Sequence, residues 1–137
     1  MKLFTLFLLA GLVFAQLNGT YNARLTTVEA DAQVQQFIAG SGAATATLNG
    51  ARLTITGMFE GLKSRATTAH IHRGEEAGKL GPAILELKVL SNLTSGTVGG
   101  SFELTPAQAD GLRKGQLYIQ IESEKAPDGN LRGWLLP

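Results

Sequence analysis

The chain has no cysteine, and only two histidines, one tryptophan and four prolines in 137 residues. Without cysteine there is no disulfide, no thiolate metal site, no cysteine nucleophile and no lipidated cysteine anchor. Charge of one sign is also missing, with 12 Lys and Arg against 11 Asp and Glu. No basic run is interleaved with aromatics, so a phosphate backbone is a poor partner and nucleic acid is not expected. Ser64, Ser95 and Ser123 lack a Gly-x-Ser-x-Gly setting, and no glycine-rich stretch carries the lysine and following helix of a phosphate loop. No catalytic residue is assigned.

Long apolar runs are scarce too, and the single one is N-terminal. Lys2 gives a positive start, Leu3 to Phe14 is almost wholly apolar, and Val13-Phe14-Ala15 ends on a small residue. That is the pattern of a secretory signal, with cleavage expected after Ala15 and one domain over residues 16–137. The run is shorter than the roughly 20 residues a bilayer span requires. The protein is therefore expected to be secreted, periplasmic or in the cell envelope, with no membrane span once the signal is removed. Lacking disulfides, the exported domain must be held by its core.

What is present is alternation. Ala43 to Leu48 alternates small and β-branched residues and meets Asn49-Gly50, the strongest short hairpin signal. The partner strand runs from Arg52 to Phe59, with Leu53, Ile55 and Phe59 on one face. Further strands are expected at Ala66–His72, Ala83–Leu90, Thr97–Leu104, Leu117–Glu122 and Leu131–Leu136, with a weak edge strand between Leu17 and Val28. Turns are expected at Glu60–Arg65, Thr94–Gly96 and Pro127-Asp128-Gly129, and a loop from Gly74 to Pro82. Thr105-Pro106-Ala107-Gln108 fits a capping box that opens one short helix, ended by Gly115, with Ala107 and Leu112 towards a sheet. Seven or eight short strands with one short helix predict an all-β, antiparallel β-sandwich. Its edge strands leave homo-oligomerisation open.

Both histidines fall in one strand, one residue apart, in Ala69-His70-Ile71-His72. Successive strand side chains alternate faces, so His70 and His72 share a face and form a chelating pair for a divalent metal. A stable site needs a further protein ligand. The alternative role for the pair is to hydrogen-bond the following loop, including Glu75 or Glu76, to the sheet. Arg132 is expected to make a structural salt bridge or bind a carbonyl, and Tyr118 and Trp134 to pack at the sandwich edge.

Together, Ala69-His70-Ile71-His72, the turn Gly81-Pro82, Gly115-Gln116-Leu117-Tyr118-Ile119 and Pro127-Asp128-Gly129-Asn130-Leu131-Arg132-Gly133 resemble the CHRD domain family over most of the mature chain. The resemblance implies an immunoglobulin/superoxide dismutase-like sandwich, a fold-level analogy that does not by itself assign an activity. The family's third histidine aligns with Glu122, which makes His70, His72 and Glu122 the implied metal set. Asn130 stands where the family usually has glutamate, and Glu29-Ala30-Asp31 lacks the family's prolines. Two imidazoles and a carboxylate form a known zinc set, whereas redox-cycling copper favours softer donors. The expected function is an exported, non-enzymatic module that binds an extracellular protein or envelope component. The alternative is a copper- or zinc-binding protein with superoxide dismutase-like chemistry.

Overall fold

The computed structural model describes residues 18–90 and 93–137. The signal expected over residues 1–15 lies outside them. The strands are β1 (Gly19–Thr27), β2 (Ser41–Asn49), β3 (Arg52–Glu60), β4 (Ala66–Arg73), β5 (Ala83–Leu90), β6 (Gly96–Glu103), β7 (Leu117–Ser123) and β8 (Ala126–Trp134). Two helices join them, α1 (Ala32–Gln35) and α2 (Pro106–Arg113). Among the described residues, no helix is long and apolar enough to cross a membrane.

The Asn49-Gly50 hairpin forms as expected, with Gly50 at a φ of 64° and Leu48 opposite Leu53. Leu53, Ile55 and Phe59 are all buried. At α2 the capping box is complete: the Gln108 N–H donates to Thr105 Oγ1 at 3.2 Å and the Thr105 N–H donates to Gln108 Oε1 at 3.0 Å. Its buried face is Ala109, Gly111 and Leu112, while Ala107 is exposed. Ala107 thus falls one helical step off the inward stripe. Helix α1, begun by Asp31 accepting from the Val34 N–H, is a single short turn without an apolar periodicity to announce it.

The sandwich expectation is corrected to a barrel. All strand pairs are antiparallel, in the closed order β1-β2-β3-β6-β5-β4-β7-β8. Two strands make the closure by changing neighbour along their length. β1 pairs with β2 up to Leu25 and then with β8 at Thr26 and Thr27. β5 pairs with β4 up to Leu87 and then with β6 from Lys88. Inward alternation is the same in a sandwich and a barrel, so it does not distinguish them.

A second correction concerns the last hairpin. The turn between β7 and β8 lies at Glu124-Lys125, and Pro127-Asp128-Gly129 is inside β8. Ser123 pairs with Ala126 but Ile121 pairs with Leu131, so β8 carries extra residues against β7 and bulges there. Gly129, at a φ of 136°, supplies the conformation that such a bulge needs.

The barrel interior is filled by Leu25, Ile55, Ile71, Ile119, Ile121 and Leu131, each at most 1 % exposed. Burial of each such side chain contributes about 1.5–3 kcal/mol, which lets a cysteine-free chain of this size hold without staples. With this face inward, His70 and His72 of β4 and Tyr118, Gln120 and Glu122 of β7 point to the outer face.

Candidate metal centre on the outer face of β4 and β7

Strands β4 and β7 run side by side with His70 opposite Gln120 and His72 opposite Tyr118. The same register, carried one step past Ala69 opposite Ile121, brings Thr68 to the next outward residue of β7, Glu122. The Thr68 hydroxyl donates to Glu122 Oε1 at 2.9 Å, and His70 Nδ1 lies 2.9 Å from the same oxygen. A carboxylate only accepts, so the His70 Nδ1 carries the proton when Glu122 is ionised.

His72 is oriented from the other side. Its Nδ1 lies 2.9 Å from the carbonyl oxygen of Gly81, which likewise fixes the proton on Nδ1 and turns Nε2 into a bare acceptor. Tyr118 holds that carbonyl in place. Its hydroxyl donates to Gly81 O at 2.8 Å and accepts from the Gly81 N–H at 3.0 Å, and its ring stacks on His72 with centroids 4.8 Å apart. Gly81 sits close against Arg73, where a Cβ would meet the Arg73 carbonyl oxygen at 1.8 Å. Only glycine allows the loop to return this tightly beside the histidines.

Two of the buried polar atoms left without a partner among the described residues belong to this cluster: His72 Nε2 and Glu122 Oε2. An unpaired buried acceptor costs about 1–3 kcal/mol, so each of these two would gain from a cation or a donor. One ligating atom from each of His70, His72 and Glu122 lies within 4.8 Å of the others. An ion about 2.1 Å from each donor spans at most about 4.2 Å between them, so the widest pair must close by a few tenths of an ångström. The donor chemistry fits zinc. The Gly81 carbonyl at His72 Nδ1 is the kind of outer contact that would orient a ligating imidazole.

The expected site residues thus come together, and Glu122 is only 7 % exposed rather than a wet strand carboxylate. The loop is tied to the sheet by His72, but through the Gly81 carbonyl; Glu75 instead pairs with Lys79 at 3.5 Å. Arg132 binds a carbonyl as expected, donating from Nε at 3.0 Å and from Nη2 at 2.7 Å to Gln120 Oε1. Trp134 packs on Tyr118 with centroids 4.6 Å apart. Sequence reasoning missed Thr68 and Gly81 as supports, and gave Tyr118 a packing role only. For Tyr118 a signal existed, since it shares the outward face of β7 with Glu122.

These features define a closed antiparallel β-barrel with a histidine-carboxylate cluster on its outer wall. The family model described as CHRD domain matches residues 14–135, and the chain belongs to the CHRD domain family. No curated protein matches the chain, and no solved structure does.

Proposed function

We propose that this CHRD domain is an exported binding module that holds a divalent cation, zinc in preference to copper, at His70, His72 and Glu122. The observation that carries the reading is the pair of buried, unpartnered acceptors, His72 Nε2 and Glu122 Oε2, within one three-residue donor set. A bound cation would satisfy both at once. A carboxylate in the set suits zinc and leaves Cu(I) without a soft donor, which favours a structural or partner-binding ion over superoxide dismutase-like turnover. An ion that bridges β4 and β7 would stiffen the outer wall next to the Gly74–Pro82 loop, the segment best placed to meet an extracellular or envelope partner.

The test is thermal melting of the metal-free protein with and without zinc. Binding to the native state alone stabilises by about 2.7 kcal/mol at a hundredfold excess over Kd, a rise in Tm of several degrees. The His70→Ala/His72→Ala variant should show no rise. A wild-type melting curve that zinc does not move would sink the reading.

A further inference from the structure

The outer face carries a groove of about 830 Å³ along the seam between β1 and β8. It exists because β8 pairs with β1 only at Thr26 and Thr27, and the chain meets β1 again only past the end of β8, where Leu136 bridges to Asn22. Between those points the surface is lined by the small residues Gly42, Ala43 and Gly133. At Gly133 an added Cβ would meet the Arg24 carbonyl oxygen at 2.3 Å, so the seam is kept narrow by the lack of a side chain.

Two arginines line the groove. Arg132 spends Nε and Nη2 on the neutral carbonyl of Gln120, and Arg24 makes no side-chain hydrogen bond or ion pair among the described residues. Among the described residues, neither guanidinium meets a carboxylate. Glu60 also lines the groove but pairs with neither. Thr26 stands opposite Arg132, which makes Arg24 the diagonal neighbour of Arg132, about 7–8 Å away between backbones. That spacing suits two forks closing on one anionic head.

Apolar surface adjoins the charge. Met58 is 56 % and Leu136 50 % exposed, and both line the groove with Trp134. We propose that the groove binds an anionic amphiphile, with its carboxylate or phosphate head on Arg24 and Arg132 and its apolar body along Met58, Trp134 and Leu136. The groove shares none of the three candidate ligands, although Arg132 and Trp134 also pack against Tyr118 beside His72, and the proposal does not depend on a metal.

Trp134 is the chain's one tryptophan, so its emission reports on the groove. The probes are decanoate, decyl phosphate, decyltrimethylammonium and inorganic phosphate, each below any micelle concentration, titrated into the intact protein. Decanoate and decyl phosphate should shift the emission saturably, and the ammonium should not. Arg24→Gln, at an exposed position, should weaken both about tenfold while the melting temperature stays unchanged; Met58→Gln should weaken decyl phosphate. Equal binding of the cationic amphiphile, no saturable response to the anions, or unchanged affinity in Arg24→Gln would overturn the proposal. So would inorganic phosphate binding as tightly as decyl phosphate, which would mark a bare anion site. A doubled mass in solution that Met58→Gln abolishes would assign the groove to a second copy of the chain and likewise overturn it.

Discussion

Tyr118 and His72 converge on one oxygen, the carbonyl of Gly81, which accepts from the phenol at 2.8 Å and lies 2.9 Å from the imidazole Nδ1. Their rings are nearly parallel, 15° apart. The tyrosine therefore sets both the position of the loop and the nitrogen that His72 offers outward. Tyr118→Phe keeps the stack and removes both hydroxyl bonds. It should cost about 1–3 kcal/mol of stability and weaken zinc binding about tenfold, as loss of an outer support does. Urea melts and a zinc titration check the two effects separately.

Glu122 should separate metal binding from folding. In Glu122→Gln the amide oxygen can still accept from Thr68 and His70, while the buried, unpartnered carboxylate oxygen is exchanged for a neutral group. Burying an uncompensated charge is costly, so the metal-free variant should be as stable as wild type or more so. Its zinc affinity should fall tenfold or more. A variant that loses metal-free stability and keeps its zinc affinity would contradict the assigned role.

Much of this arrangement was legible in the sequence. The alternation of Leu53, Ile55 and Phe59, the Asn49-Gly50 turn and the Thr105 capping box act through local geometry, and each forms as its residues indicate. The shared outward face of His70 and His72 follows from the strand period alone. Glu122 came from family resemblance, because the register of β4 on β7 joins residues 52 positions apart. Barrel closure was not legible, since it depends on β1 and β5 each changing neighbour partway along. Pro127-Asp128-Gly129 carries turn residues, but the β7–β8 register makes it a bulge. Nor could alternation show that all seven residues of β7 are buried, because Arg132, Trp134 and the Gly81 end of the loop cover its outer side.

The seam at Gly133 is a point of low tolerance. A Cβ there would sit 2.3 Å from the Arg24 carbonyl oxygen, and backbone rather than a flexible side chain would have to move. Gly133→Ala should destabilise by about 1–3 kcal/mol through overpacking, read as a lower urea midpoint with an unchanged slope.

Acid sensitivity should appear at α2. Lys114 hydrogen-bonds the Asp110 carboxylate and, with its own charge and that of Arg113, holds it below its usual value of 3.8. The unfolded chain therefore takes up this proton first as pH falls, so the contribution to stability is fully present above the unfolded value and is lost as pH drops through the folded one. Asp110→Asn should melt slightly below wild type at pH 6, and the gap should close as the pH falls below the usual carboxylate value and through the lowered one, and shrink in high salt.

The most direct test of the central claim is metal content, measured by elemental mass spectrometry on the protein expressed from its full-length sequence, beside the His70→Ala/His72→Ala variant. Near-equimolar zinc in the wild type that disappears in the variant is the predicted result. Metal-free wild-type protein, or equal metal in both, would contradict it.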